Sequence, residues 1–274
     1  MDTNYLNGFR KLQEKIEKFD LSISPEDEDI LLAQLMEVRL LTFGFSKIVP
    51  DFQRLTINKS LPENNNTTIT EIKFLKNPPE KSVTKYNRAN LKNQSVLYAT
   101  FILPTALSEN NPDLGDLVTI SYWELIAENN PLIVYPVFDF YKTRNMQLKQ
   151  EFAKAIKDYP EDLKDVIIID NCLVASYFSK YVEKGKEINY TFSAHLADKI
   201  FNKIHNGKIE AIIYPSVKDV TRTDNIVIKP NVFNSKYKLA EVRESLVISK
   251  KNGTILLHEL NRTKKFEKEI IIWD

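Results

Sequence analysis

Cysteine, histidine and glycine are all scarce in this chain of 274 residues, and each scarcity closes off a class of chemistry. The one cysteine, Cys172, cannot form an internal disulfide, so disulfides give no sign of a secreted scaffold. It sits in the apolar run VIIIDNCLVASYF, where a buried structural thiol is expected rather than a nucleophile. The three histidines, His195, His205 and His258, form neither H-x-x-x-H nor H-E-x-x-H. With one cysteine no Cys-rich zinc site can be assembled, and no metal is expected. Six scattered glycines supply neither a Rossmann G-x-G-x-x-G nor a Walker loop, and there is no G-x-S-x-G elbow for a hydrolase serine.

An excess of one charge is also missing. The 38 Lys and Arg against 37 Asp and Glu leave a formal charge of +1, without the basic field of a direct nucleic-acid binder. No apolar run is long enough to span a bilayer, and the N-terminal stretch MDTNYLNGFRKLQEKIEKFD is charged rather than signal-like. The expected compartment is therefore the cytoplasm, with no membrane partner.

What is present divides into two parts. Phe9, Leu12, Ile16 and Phe19 recur at helical spacing over residues 4–19. A second helix is expected from Ser24, an N-cap followed by Pro25 and the acidic Glu26, Asp27 and Glu28. These define a helical N-terminal region, 1–58. The Asn-rich, polar KSLPENNNTTI reads as a boundary loop. From 67 to 274 the pattern changes to TEIKFLK, SVLYATF, LVTISYWEL and LIVYPVF, all β-branched or aromatic and of strand length. Helical patterns return at 146–158, 161–182 and 189–205. Strands follow as IEAIIYPS, NIVIKP and KEIIIW, with a hairpin marked by Asn252-Gly253. Strands, helices, then strands argue for an α+β fold with a mixed central sheet and an N-terminal helical extension.

Single residues carry little. Arg88 alone reads as a surface charge, Tyr98 as a core tyrosine, Glu109 as a solvated helix face and Ser216 as a turn hydroxyl. Their order carries more. Arg88-Ala-Asn90, then Leu97-Tyr98-Ala99, then Thr105-Ala106-Leu107-x-Glu109, and downstream Tyr214-Pro215-Ser216 with Asn225 after a loop, resemble the RES domain family. Arg54, in DFQRLTI, resembles the arginine on that family's first strand. The likeness covers roughly 73–228.

The resemblance implies an ADP-ribosyltransferase-like fold and an enzyme that consumes NAD as its substrate, as a toxin restrained by an Xre-like antitoxin. It implies cleavage of the nicotinamide–ribose bond through an oxocarbenium-like state. In that scheme Glu109 stabilises the developing cation, Tyr98 stacks on the pyridinium ring and Ser216 positions the ribose end or the nucleophile. Arg88, Arg54 or both grip the pyrophosphate, and Asn225 lines the same site. Transfer of ADP-ribose to a macromolecule, and a non-catalytic nucleotide-binding module, remain open beside it. So does a homo-oligomer or regulatory surface built from Phe9, Leu12, Ile16, Leu31 and Leu35, although such stripes most simply pack on the sheet.

Overall fold

The computed structural model describes residues 30, 33, 44–62, 64–141, 143, 146–179, 190–216, 223–251 and 253–273. The helix expected over 4–19 lies outside them. Of the helix expected from Ser24, only Ile30 and Ala33 are described, both helical. The chain divides into two compact units. One takes the described residues of Met1–Phe45 with Thr84–Lys92 and Tyr135–Ile209; the other takes Ser46–Val83, Asn93–Val134 and Glu210–Asp274.

The fold is α+β, as expected, and its large sheet belongs chiefly to the second unit. The strands are β1 (Phe45–Lys47), β2 (Asp51–Ile57), β3 (Leu97–Thr100), β4 (Leu117–Leu125), β5 (Leu132–Pro136), β6 (Ala211–Pro215), β7 (Asp224–Ile228), β8 (Tyr237–Lys251) and β9 (Thr254–Thr263). They lie in the order β1-β5-β6-β7-β3-β2-β4-β8-β9. Every pairing from β6 across to β9 is antiparallel. A small ribbon of β10 (Phe266–Glu267) and β11 (Ile270–Ile271) completes the strands. The helices are α1 (Leu103–Asn110), α2 (Met146–Ile156), α3 (Glu161–Phe178), α4 (Thr191–Lys203) and α5 (Pro230–Lys236).

The period-two pattern of the strands builds two cores, one on each face of the sheet. Val118 and Ile120 of β4 join Leu55, Ala106, Leu107 and Val247 on one face. Trp123 of the same strand joins Phe52, Leu97, Ala99, Ile226, Phe233 and Tyr237 on the other. The join at the middle of the sheet is narrow. β2 pairs with β4 along its whole length, from Asp51–Glu124 to Ile57–Val118, but meets β3 only at Gln53 and Thr100. Two half-sheets are thus connected through one residue pair.

Two expectations need correction. Residues 70–76, read as a strand, form a bridge at Glu71 and a 3-10 helix, Ile72–Leu75. Ile72 and Leu75 are three apart, so a three-residue turn stacks them on one side, where both are buried. β1 and β2 lie within the N-terminal stretch assigned to helix up to residue 58, and β2 is central to the sheet. The hairpin is as expected: Lys251 pairs with Thr254, and Gly253 has φ +78.

In the first unit, α2, α3 and α4 match the helical periodicity. Phe138, Phe152, Ile156 and Ile167 form its own core. Glu161 and Asp162 occupy the first turn of α3, where they complement the helix dipole. Cys172, on α3, is half-buried, and burial pushes its thiol up, away from nucleophilic character.

The second unit also contains a buried carboxylate held by neutral donors. Glu244 is 1% exposed. Its Oε1 accepts from Asn58 Nδ2 at 3.2 Å, and its Oε2 accepts from Thr68 Oγ1 and Asn261 Nδ2 at 3.0 Å each. Thr119 Oγ1 donates to Asn58 Oδ1 at 2.8 Å and extends the network to β4. Replacing Glu244 by Leu leaves three donors without their acceptor. We expect a loss of about 3 kcal/mol of unfolding free energy in urea; a loss under ~1 kcal/mol would mean that water satisfies the donors.

Candidate functional site

The site begins with a short helix that ends on a carboxylate. Pro104 sits at the start of α1, as its fixed φ favours. Ala106 and Leu107 bury against Leu55, Val118 and Ile120, which fixes the helix on the sheet. Asn111 closes it in the left-handed region at φ 48, its N–H donating to Leu107 O at 2.8 Å. Glu109 therefore lies in the last turn, where the helix dipole disfavours a negative charge.

Two donors from distant segments offset that position. Ser216 Oγ donates to Glu109 Oε1 at 2.6 Å, and Asn225 Nδ2 donates to the same oxygen at 2.9 Å. Ser216 follows β6, and its N–H donates to Thr223 O at 2.9 Å, which extends the β6–β7 ladder by one step. Asn225 lies on β7 opposite Thr100 and Tyr214. Ser216 and Asn225 are both buried, so their geometry is held by packing. The hydroxyls of Thr105 and Thr223 bond to each other and tether the start of α1 beside the start of β7.

Strand alternation places Tyr98, Thr100 and Asn225 on one face, with Tyr98 half-exposed. Arg54 is on the opposite face, with Phe52. Its Nη1 reaches across to donate to Tyr98 O at 3.1 Å, beyond the last paired residue of β2 and β3. Its Nε is buried without a hydrogen-bond partner. Burial lowers its pKa to about 10. Arg54 thus occupies the gap where the half-sheets part, and a backbone carbonyl is its hydrogen-bond acceptor among the described residues.

Arg88 belongs to the first unit. There its guanidinium donates to Phe178 O and to Tyr190 Oη at 3.4 Å, with Cζ 5.1 Å from the centre of the Tyr190 ring. Asn90 Nδ2 donates to Leu91 O at 2.9 Å. His195 packs its ring 5.7 Å from that of Tyr86, also within the first unit. Of the residues singled out from sequence, Glu109, Ser216 and Asn225 are brought into direct contact. Tyr98 shares the face of Asn225, and Arg54 touches the backbone of Tyr98. Arg88 is committed to partners of its own unit.

The sequence reading missed Thr223 and Asp224. Thr223 accepts from the Ser216 N–H and clasps Thr105. Burial raises the Asp224 carboxyl, against the opposing charge of Lys47. Neither residue sits in a recognisable motif, and only their place beside Asn225 marks them. The chain matches no protein-family model and no curated protein.

The Arg54 environment can be tested directly. Its guanidinium is charged at neutral pH in the folded and unfolded chain, so the burial penalty is fully present there. The penalty is relieved only as pH rises through about 10. Removing a buried cation that lacks an anionic partner relieves the same penalty. Arg54→Met should leave the thermal midpoint at pH 7 unchanged or higher. A fall equivalent to more than ~2 kcal/mol would reveal a strong anionic partner for the guanidinium.

Proposed function

We propose that the chain binds NAD and cleaves the bond between nicotinamide and ribose. The observation that carries this reading is the convergence of Ser216 and Asn225 on one oxygen of Glu109, which orients the carboxylate from two buried positions. The chemistry requires little more. Nicotinamide begins as a pyridinium cation and departs as a neutral molecule, so no strong general acid is needed. A fixed carboxylate beside the ribose accepts a hydrogen bond from the 2′-hydroxyl and stabilises the positive charge that develops at the anomeric carbon. Tyr98, on the face of Asn225, offers a ring to the flat pyridinium cation.

The reading leaves the pyrophosphate to Arg54 or Arg88, with Arg54 starting from the face of the sheet opposite Tyr98 and reaching the β2–β3 gap. Arg54 has a buried Nε without a partner, whereas the Arg88 guanidinium is taken up by Phe178 and Tyr190. An anion at the β2–β3 gap would compensate the buried charge and form a forked pair that lysine cannot reproduce. The sequence resemblance to RES domains adds support from the order of motifs. It carries with it the expectations of a cytoplasmic toxin and an Xre-like antitoxin. Among the described residues no helix is long and apolar enough to cross a membrane.

Incubation of the full chain with NAD, followed by mass spectrometry, tests the reading. Nicotinamide should appear with free ADP-ribose, a phosphorylated ADP-ribose or a labelled macromolecule, according to the acceptor. Glu109→Gln keeps the side-chain shape and loses the charge, and should lower turnover by at least ~100-fold while NAD binding persists. Near-normal turnover in a folded Glu109→Gln protein removes Glu109 from the chemistry. Binding of NAD without release of nicotinamide by the parent replaces the enzyme reading with a binding module.

A further inference from the structure

The large sheet ends on β9, and that edge is weakly guarded. An edge strand presents unpaired N–H and C=O groups, which proteins usually protect with lysine, proline, short length or a bulge. The stretch Thr254–Glu259, TILLHE, contains neither lysine nor proline. It pairs with β8 from Lys251–Thr254 to Ser245–Glu259, and the extra residue at the shift of register inside this span is Ile248, on β8. The outer strand therefore runs for six residues without a bulge of its own. On its free side every second residue turns its N–H and C=O outward, and among the described residues no other segment pairs with it. Leu256 is 53% exposed. Ile255 and Leu257, on the other face, are half-buried against the core that holds Val118 and Val247.

We propose that β9 is a homodimer surface, on which a second copy of this chain adds its own β9 antiparallel about a two-fold axis at Leu256. The occupant follows from the order of residues along the edge. A two-fold axis perpendicular to the sheet keeps each face on its own side, so residues of like parity must come opposite. An axis at Leu256 sets Leu256 against itself, Ile255 against Leu257 and Thr254 against His258. The centre of the contact is then apolar on both faces, and Glu259 meets Gly253 rather than another charge. An axis at Leu257 would instead press Ile255 against Glu259 and Leu256 against His258. One short strand pair falls short of the ~1,200 Å² of a standard interface, so the dimer is weak and reversible. Four strands, β3, β2, β4 and β8, separate this edge from the strand of Asn225, and the inference does not depend on NAD chemistry.

Sedimentation of the full chain over a concentration series tests it. A monomer–dimer equilibrium is expected, with a Kd of about 100 μM or tighter. Leu256→Lys sets two cations opposite each other at an exposed position, and should weaken the dimer at least ~10-fold while the fold is kept. Leu256→Cys reads the register. Opposed Cα atoms of an antiparallel pair lie ~4.5–5.5 Å apart, within disulfide range, so mild oxidation should join two copies through position 256, as located by peptide mass spectrometry. Ile248→Cys, on β8 and 50% exposed, should not cross-link, because three strand spacings of ~4.8 Å separate its two copies. A chain that stays monomeric at about 100 μM overturns the proposal and leaves the edge to a strand from a different protein. Parent-like dimerisation of Leu256→Lys, or equal cross-linking of Leu256→Cys and Ile248→Cys, overturns it as well.

Discussion

The centre of the sheet is joined through one residue pair, Gln53 with Thr100, and the organisation of the second unit follows from that economy. A complete ladder between β2 and β3 would bring the two half-sheets together and leave no place for a buried side chain. With one pair, the strands part, and the guanidinium of Arg54 reaches a carbonyl on the neighbouring strand. The same parting leaves α1 to be located by its apolar side, through Ala106 and Leu107, rather than by backbone pairing. Glu109 is then delivered to the end of β6 and the start of β7, where Ser216 and Asn225 meet it.

The carboxylate and the guanidinium represent opposite solutions to the problem of charge in a folded chain. Glu109 lies at the unfavourable end of a helix, and polar side chains from elsewhere receive it. Arg54 is desolvated and bears the cost in a lowered pKa. Residues held against their own stability are typical of places where a ligand completes the balance. Glu244 contrasts with both: neutral donors surround it, and its partners connect β8, β9, β4 and the loop at Thr68.

Much of the sheet was legible because its strands announce themselves through β-branched and aromatic runs. LVTISYWEL became β4 with the same bounds, and the Asn252-Gly253 hairpin followed from turn chemistry. β2 was harder to see. DFQRLTI places Arg and Gln in its middle, and their reason for being there is the gap beside β3, which no local pattern encodes. TEIKFLK misled because Ile72 and Leu75 suit a strand in composition but a three-residue turn in spacing. In the site, the ordered motifs identified Glu109, Ser216 and Asn225, which meet. The same motifs could not reveal that Arg88 belongs to a different unit, since unit membership depends on contacts between segments far apart in sequence. Thr223 was invisible for the same reason.

The network around Glu244 has a consequence for how this chain can change over generations. Asn58, Thr68 and Asn261 come from three separate segments, and each finds its acceptor in one carboxylate. A substitution at any one of these positions is judged in the company of the others, so the four sites are epistatic rather than independent. An apolar residue at position 244 becomes acceptable only after the donors around it have themselves become apolar. Recombination that imports the β8–β9 hairpin from a diverged relative, without the matching residues 58 and 68, breaks the set. The network therefore ties the inheritance of the hairpin to that of the N-terminal half of the sheet.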